Sequence, residues 1–324
     1  MIDLHAHVVL EAAFETAGPY GPRLVERDGV DEFSVGDYRM RPCPYRTSVF
    51  MDVDARLRLM DRLAIDLQLL SPNPLTFLGG IEAEPAVAHA RATNEAMAEL
   101  VARHPDRLLG AAALPLQDPS AACAELERAT GELGLIAAYC GTDYGFGLDD
   151  ARLDEVYGRL VELDVPLLLH PATNDGDAAI TDPRLRRFGL DLVLGYAYEE
   201  TMAVASLVLG GVLERHPDLD VCISHGGGAI AFLAHRFDQM GGFLRDRVGV
   251  DQPDLTPSLR RLWYDSHVGH GPARGLVADA VGTERMVFGT NLGGWDTPTS
   301  TDAFDASLTP NAERLLRLGD QERP

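Results

Sequence analysis

Two histidines stand one residue apart near the start of the chain, in the otherwise apolar segment MIDLHAHVVL. Side chains of a β-strand alternate between its two faces, so His5 and His7 would point to the same side and converge on one point. Two imidazoles on one face of a buried strand are typical of a metal site, whereas the same pair on a surface strand would simply be hydrated. This segment alone leaves both interpretations open.

Three further histidines end apolar runs: His170 in LLLHPA, His225 in VCISHGGG and His267 in WYDSHVG. Asp265 precedes His267 by two residues and shares its face if this run is a strand. Neutral imidazoles from different strands, with one position left open for water or substrate, describe a catalytic divalent-metal site. We expect one divalent metal, with zinc as the first expectation and manganese, iron or cobalt as alternatives.

The elements that must position these residues follow from apolar periodicity. Eight short apolar runs predict strands at 2–7, 67–71, 109–114, 135–140, 166–170, 220–225, 262–267 and 286–289. Helical patterns fill the gaps at 53–65, 83–104, 118–132, 151–164, 194–215, 228–247, 271–283 and 309–318. This alternation predicts an α/β fold, a (β/α)8 TIM-like barrel whose active site lies at the C-terminal ends of the strands. A doubly wound open sheet is the alternative, weakened because no GxGxxG follows an early strand.

One long irregular segment, 9–50, separates the first strand from the first helix. A loop of this length in a compact domain is usually functional or carries structure of its own. It ends in PYRTSVF, which contains Arg46. We expect one domain over 1–324, with 9–50 as an insertion after the first strand that covers the site.

The composition argues against several partners and chemistries. A formal net charge of −22 would repel nucleic acid and anionic membrane surfaces, and no run of eighteen apolar residues predicts a membrane span. All 28 basic residues are arginine, which excludes a Schiff-base lysine and a carboxylated lysine bridging two metals. The four scattered cysteines and the lack of a secretory pattern predict a reduced, cytoplasmic protein.

The motifs HxH, HPA, SHGGGA and FGTN together resemble the amidohydrolase superfamily, and more closely its aminocarboxymuconate semialdehyde decarboxylase-like branch. The likeness covers essentially the whole chain, including DVDARLRLMDRLAID, HPDRLLGAAALPLQDP and ETMAVASLVLGGVLERHPDLDVCISHGGGAIAFLAHRF. The resemblance implies a TIM-like barrel, one mononuclear metal and non-oxidative decarboxylation. Some members of the branch act instead as hydratases or hydrolases.

The resemblance also implies roles for individual residues. Its metal ligands match His5, His7 and His170, and its residue that activates water or moves protons matches His225. Arg236 matches an arginine that reaches a neighbouring subunit's site to hold the substrate carboxylate, which implies a homodimer. Arg46 lies close to the position of a second carboxylate-binding arginine. Guanidinium groups bind carboxylates bidentately, which gives both arginine assignments a physical reason.

The eighth strand departs from the family pattern. It reads MVFGTNLGGWDTP, with Asn291 where the family usually has a metal-ligating aspartate. Asparagine keeps a carbonyl oxygen but has no charge and cannot act as a base. Three interpretations stay open: Asn291 is a neutral metal or substrate contact, Asp265 or Asp296 takes over the missing role, or the metal has been lost. His267 is a second departure, and it forms either a catalytic pair with Asp265 or a plain hydrogen-bonded pair.

Our first hypothesis is a metal-dependent non-oxidative decarboxylase, a C–C lyase acting on a small unsaturated or aromatic carboxylic acid. His225, Asp265 and His267 would be catalytic, while Arg46, Arg236 and Asn291 would contact the substrate. The alternative is a metal-dependent hydrolase or hydratase that uses metal-bound water with His225 as base. A metal-free, anion-binding barrel is the third possibility. Loops such as 173–188 are where substrate preference would be set.

Overall fold

The computed structural model describes residues 1–171, 183–249, 253–269, 271–294, 296–297, 301 and 304–319. Over that part of the chain, helices alternate with the eight predicted strands, and three further strands lie within the segment 9–50. The strands are β1 (Ile2–Val8), β2 (Arg23–Arg27), β3 (Val30–Val35), β4 (Tyr38–Met40), β5 (Leu67–Pro72), β6 (Leu108–Ala113), β7 (Ala137–Cys140), β8 (Leu167–Leu169), β9 (Val221–Ile223), β10 (Trp263–Asp265) and β11 (Met286–Val287). The helices are α1 (Val53–Arg62), α2 (Ala83–Ala102), α3 (Pro119–Gly131), α4 (Asp154–Glu162), α5 (Tyr196–Leu209), α6 (Val212–Arg215), α7 (Ile230–Val248), α8 (Leu255–Leu259), α9 (Pro272–Val281) and α10 (Thr309–Leu315).

Eight parallel strands, β1 and β5 to β11, form the predicted barrel and pair in the order in which the chain makes them. Residues that follow β11 close the ring onto β1. The amide of His7 donates to the carbonyl of Leu292 at 2.8 Å, and the amide of Leu4 donates to that of Phe288 at 2.9 Å. The (β/α)8 prediction is therefore confirmed, and the open-sheet alternative is wrong.

Several elements differ from their predicted bounds. The run at 194–215 is two helices, because the chain turns at Gly211 with a φ of 75° between α5 and α6. A π-helical turn, Asp191–Gly195, precedes α5. The short helix α8 is an additional element that lacks a clear apolar period. Of the proposed specificity loop 173–188, residues 173–182 lie outside the described part of the chain.

The insertion after β1 carries structure of its own. Strands β2, β3 and β4 form an antiparallel sheet, separate from the barrel. Phe33, Val35 and Tyr45 are buried in a small cluster that includes Leu78, which follows β5. Apolar burial therefore fixes this sheet over the rim next to β5. The assignment of 1–324 to one domain stays a prediction.

One stretch of the described chain, Asp191–Leu209, is long and apolar enough to cross a membrane, and 44% of its apolar window is buried inside the protein. Within it, Val204, Leu207 and Val208 belong to the main hydrophobic core. Glu200, in the same stretch, is buried as well. A stretch that carries a charged group and buries one side in the core is typical of a helix that packs against a barrel.

Candidate active site and metal centre

Three buried histidines meet at the C-terminal end of the barrel. One ligand atom from each of His5, His7 and His170 lies within 4.8 Å of the other two. His5 and His7 occupy one face of β1, as the alternation predicts, and their Nε2 atoms are 3.1 Å apart. Two imidazoles on one zinc ion, each about 2.0–2.1 Å from it, have nitrogens separated by roughly 3.3 Å. The spacing of this pair fits a shared metal.

The outward-facing nitrogens of two of these rings are held by acceptors. Nδ1 of His5 lies 2.6 Å from Oδ2 of Asp265, and Nδ1 of His170 lies 2.9 Å from the carbonyl oxygen of Pro171. A carbonyl and a carboxylate can only accept, so both rings carry their proton on Nδ1. Nε2 of His170 is buried with no hydrogen-bond partner in the described structure, and its lone pair is free for a ligand.

The tautomer of His7 follows from one serine. Nδ1 of His7 lies 3.1 Å from Oγ of Ser71, whose hydroxyl donates to the carbonyl of Ala6 at 3.1 Å. Since that hydroxyl has only one proton, His7 must be the donor in its contact with Ser71. All three rings therefore direct Nε2 lone pairs toward one point, an arrangement that is repulsive without a cation and that suits a divalent metal.

Burial keeps these ligands neutral. It lowers the pKa of His5 to about 4, although Asp265 opposes the shift. Burial, together with the neighbouring imidazoles, also places the pKa of His7 and that of His170 well below the usual range. Burial would raise the pKa of Asp265, but His5 beside it holds that pKa well below its usual range. Metal-binding histidines must be unprotonated, and this environment meets that need.

Gly289 of the FGTN motif lies against the first ligand. A Cβ added at this position would lie 2.8 Å from Cβ of His5 and 3.2 Å from Cβ of Asp265. The first distance is shorter than nonbonded carbons allow, so only glycine leaves room for the pair. Steric exclusion therefore explains the glycine of the FGTN motif.

His225 is paired with a buried glutamate, Glu200, which is absent from the predicted site residues. Its Nδ1 lies 2.5 Å from Oε1 of Glu200, and the hydroxyl of Ser224 donates to the same oxygen at 2.5 Å. Burial would lower the pKa of His225, but Glu200 raises it to about 9. Because Nδ1 is engaged, Nε2 is the nitrogen that can exchange a proton with a substrate. The backbone of His225 has a φ of 45°, an unusual conformation of the kind that clusters at functional sites.

The second proposed pair is arranged differently from the prediction. Oδ1 of Asp265 accepts from the backbone amide of His267 at 2.9 Å, so the contact does not involve the imidazole. Nε2 of His267 instead lies 2.9 Å from Oδ2 of Asp296. The other carboxylate oxygen of Asp296 accepts from Nδ2 of Asn291 at 2.6 Å. Asp296 therefore connects His267 with Asn291.

Two neighbouring cavities open onto these groups. The first, of about 430 Å³, contains His7, His170 and Asn291 and is otherwise lined mainly by Tyr38, Met40, Pro44, Tyr45, Phe50, Leu75, Leu192 and Tyr196. Five of these come from the insertion, so its inner face forms one wall. The second, of about 440 Å³, contains His225, Glu200, His267 and Asp296 and shares Leu192 and Tyr196 with the first.

Neither predicted arginine is among the described residues that line these two cavities. Arg46 contacts two carboxylates of the insertion, with Nη1 2.9 Å from Glu11 and Nε 3.3 Å from Asp31. Arg236 is exposed on α7. The structure therefore brings together the histidines, Asp265 and Asn291, and leaves the two arginines outside the site of their own chain.

One buried cation also supports the first ligand strand. Arg56 donates to the carbonyl of His7, to the carbonyl of Val49 at 2.7 Å and to Oε1 of Gln68 at 2.7 Å. Burial lowers its pKa to about 10, so the guanidinium stays charged at neutral pH. Arg56 thereby fixes the backbone at His7. Its signal in the sequence is faint, because one arginine in DVDARLRLMDR looks like the others.

Glu200 had a clearer signal. It stands in the apolar stretch LGYAYEETMAVASLVLGG, where a charge facing the core needs a partner. The histidines at the strand ends are the polar groups that a core-facing charge in this stretch could meet.

Comparison with known proteins agrees with this architecture. The family model described as amidohydrolase matches residues 2–323. Gamma-resorcylate decarboxylase from Rhodococcus jostii (strain RHA1) is 30% identical, over 81% of this chain and 83% of that protein. 2-Amino-3-carboxymuconate-6-semialdehyde decarboxylase from Dictyostelium discoideum is 29% identical, over 74% of this chain but only 66% of that protein.

Two further similarities extend the comparison to a hydratase and to a solved structure. 2-Keto-4-carboxy-3-hexenedioate hydratase from Sphingobium sp. (strain NBRC 103272 / SYK-6) is 29% identical, over 83% of this chain and 77% of that protein. The structure of dihydroxybenzoic acid decarboxylase from Polaromonas sp. JS666, which contains manganese and 2-nitroresorcinol, superposes with a TM-score of 0.76. It is 21% identical, covering 99% of this chain and 98% of that one, and so shows a shared fold.

Proposed function

Because this chain belongs to the amidohydrolase family, we propose that it is a metal-dependent, non-oxidative decarboxylase of a small aromatic or unsaturated carboxylic acid. The observation that carries the proposal is the convergence of three Nε2 lone pairs beside an aromatic cavity, next to the His225–Glu200 pair. The similarity to decarboxylases of carboxymuconate semialdehyde and resorcylate supports the reaction type.

His5, His7 and His170 would hold one divalent ion. Three neutral nitrogens favour zinc, and the manganese in a decarboxylase of the same fold makes manganese the second ion to test. When bound, such an ion supplies a positive charge that orients a substrate oxygen and stabilises developing negative charge. Asp265, Ser71 and the carbonyl of Pro171 would keep the three rings aimed at it.

His225 would provide the proton. In decarboxylation the bond between the carboxyl carbon and the ring or chain carbon breaks, CO₂ leaves, and the electron pair stays on carbon until a proton arrives there. Glu200 holds Nδ1 of His225 and stabilises the charged imidazolium, so Nε2 can deliver that proton. A proton from solvent would then restore the imidazolium.

The cavity suits a flat, mostly apolar acid. Tyr38, Tyr45, Phe50 and Tyr196 give it an aromatic lining, and its volume of about 430 Å³ is ample for one ring with small substituents. Among its described lining residues the only charged side chain is Asp191, which disfavours a second carboxylate nearby. These features support an aromatic monocarboxylic acid over a diacid.

A second copy of the chain would supply the missing arginine. On α7, Phe232, Met240 and Phe243 are exposed, and Arg236 lies on the same helical stripe by its spacing. Neighbouring helices add Tyr198 and Met202 of α5 and Leu276 of α9. Exposed apolar side chains on neighbouring helices are typical of an interface. We therefore propose a homodimer in which Arg236 is directed at the partner's site.

We also propose a cytoplasmic location, with which the four free cysteines agree.

A hydratase or hydrolase is the second candidate. One relative is a hydratase, and Asn291 removes a carboxylate from the end of the eighth barrel strand. In that case His225 would take a proton from water instead of giving one to carbon.

The deciding experiment measures metal content and CO₂ release on the same preparation. The protein is stripped with chelator, reloaded with Zn²⁺ or Mn²⁺, and incubated with hydroxybenzoic acids and unsaturated acids. We expect about one metal per chain, held by three imidazoles, and CO₂ from at least one aromatic monoacid. His170→Ala should lose metal and activity, His225→Asn should keep metal and lose activity, and His216→Ala, outside the site, should keep both. Hydration or hydrolysis of the same acids without CO₂ would favour the second candidate.

A further inference from the structure

Asn291 is buried at the end of the eighth barrel strand with half of its amide unused. The residue is 4% exposed, and its Oδ1 has no hydrogen-bond partner within the described structure. Leaving a buried carbonyl oxygen without a partner is costly unless a ligand completes it. Asn291 also lines the same cavity as His7 and His170. The unpartnered oxygen makes Asn291 a candidate to complete the proposed metal centre.

The orientation of this amide is decided by Asp296. Nδ2 of Asn291 donates to Oδ1 of Asp296 at 2.6 Å. A carboxylate accepts hydrogen bonds and cannot donate them when ionised, so the NH₂ group must face Asp296 and the carbonyl must face the other way. Without Asp296 the amide could rotate and present its NH₂ group to the histidines, which would repel a cation.

Asp296 is itself held in place from two sides. Its Oδ2 lies 2.9 Å from Nε2 of His267. The turn that carries it is closed by Thr297, whose hydroxyl donates to the carbonyl of Asn291 at 3.0 Å and accepts from the amide of Gly293 at 3.1 Å. Gly294 packs so closely on Asn291 that an added Cβ would lie 2.4 Å from its amide atoms. The turn thus returns Asp296 to the amide of Asn291.

We propose that Asp296 is a positioning residue that directs Oδ1 of Asn291 to the metal centre as a neutral ligand and places a negative charge one hydrogen bond behind it. An aspartate at position 291 could supply both the ligand oxygen and the negative charge. In this chain Asn291 would supply the oxygen and Asp296 the charge. This inference rests on the proposed metal binding by His5, His7 and His170.

A consequence is that an aspartate at position 291 conflicts with Asp296. Asn291→Asp would bring two carboxylates to about the 2.6 Å that now separates Nδ2 from Oδ1, and like charges at that range exclude joint ionisation. Asn291→Asp alone should therefore gain little metal affinity. The exchange Asn291→Asp with Asp296→Asn keeps one carboxylate and one amide, and should bind metal well.

The test is a set of dissociation constants for Zn²⁺ and Mn²⁺, measured by chelator competition on the full chain. Asp296→Ala should weaken binding about 10- to 100-fold, as loss of a partner behind a metal ligand usually does. Asp296→Asn still accepts from Nδ2 of Asn291 and should lose less, and the exchanged double variant should return to within about threefold of wild type. Asp28→Ala removes an exposed aspartate and is the matched control. Circular dichroism and melting of the metal-free variants show whether each has folded.

Equal metal affinity of folded Asp296→Ala and wild type would overturn this inference and leave the proposed metal centre intact. The inference is equally wrong if Asn291→Asp alone binds metal as tightly as the double variant. A wild-type protein that binds neither ion would overturn both the metal centre and the role of Asp296.

Discussion

Oε1 of Glu200 lies 2.5 Å from Nδ1 of His225. Glu200 is buried, His225 is partly buried, and both line the second cavity. Glu200 comes from α5 and His225 from the loop after β9, so the packing of this helix on the barrel creates the pair. The other carboxylate oxygen of Glu200 has no partner within the described chain. The carboxylate is thus dedicated to Ser224 and His225.

The first prediction concerns this pair. Glu200→Gln removes the charge that stabilises the imidazolium, so turnover should fall on the order of 100-fold. Metal content and KM should change little, because Glu200 contacts none of the three ligands and lines the second cavity, not the one that contains His7 and His170. Glu199→Gln, which alters the preceding residue and its contact with Thr142, is the matched control and should stay within about twofold of wild type. A full retention of turnover in Glu200→Gln would contradict the role given to His225.

The second prediction concerns the glycine behind the first ligand. Gly289→Ala must displace His5 or Asp265, so it should weaken metal binding and destabilise the fold by about 1–3 kcal/mol, as overpacking does. Urea unfolding of the chelated protein and metal titration measure the two effects separately. Gly158→Ala is the control, because a Cβ there meets nothing within 4 Å and α4 should gain about 0.5–1 kcal/mol. Unchanged metal affinity in Gly289→Ala would show that the ligand shell tolerates the methyl group.

The third prediction separates the two arginines. Arg46 is bound to Glu11 and Asp31 on a partly exposed surface, so Arg46→Met should cost less than about 1 kcal/mol and leave KM nearly unchanged. Arg236→Met should raise KM strongly if the partner's site needs it.

Mixing inactive variants provides the sharper measurement for Arg236. A heterodimer of Arg236→Met and His225→Asn chains would contain one intact site, so co-refolded chains should recover up to about a quarter of wild-type activity. Failure to recover any activity, with dimers present in sedimentation, would place Arg236 outside the partner's site.

The fourth prediction concerns acid stability. Burial lowers the pKa of His89 on α2 from 6.5 to about 4, and its Nδ1 lies 2.9 Å from Oγ of Thr16 in the insertion. The unfolded chain therefore binds this proton at a higher pH than the folded chain. Stability from His89 is complete above about pH 6.5 and is lost as the pH falls toward 4, by up to about 3 kcal/mol.

Urea unfolding at pH 7 and pH 4.5 measures this loss. His89→Gln cannot titrate, so its free energy of unfolding should fall less between the two pH values than that of wild type. The histidines of the metal centre titrate in both proteins and cancel in the comparison. His104→Gln, in the turn that follows α2, is the control and should behave as wild type. An equal loss in His89→Gln and wild type would assign the acid sensitivity elsewhere.

Much of the site was predictable because strand periodicity is local. Alternation along MIDLHAHVVL places His5 and His7 on one face, and the barrel rule places His170 and His225 at the same rim. The closure of the barrel at Leu292 then brings these positions together as expected. Neither the strand alternation nor the barrel rule requires knowing which loops pack against each other.

Other features depend on contacts between residues that are distant in sequence. The sequence shows Glu200 only as a charge in an apolar helix. The packing of α5 on the barrel places it beside His225. Arg46 reads as a free cation until the antiparallel sheet of the insertion places Glu11 and Asp31 around it. Asp296 reads as a loop residue until the turn closed by Thr297 brings it to Asn291.

The sequence by itself determined the fold class, the rim on which the chemistry lies and the residue types that face it, because these follow from periodicity and from the geometry of parallel strands. Only the tertiary structure decided the hydrogen-bond partner of each ring nitrogen, and thus which lone pairs are free. Tautomers and amide orientations depend on the nearest donor or acceptor, and for His5, His7 and Asn291 a side chain from another part of the chain or the far side of a turn supplies it.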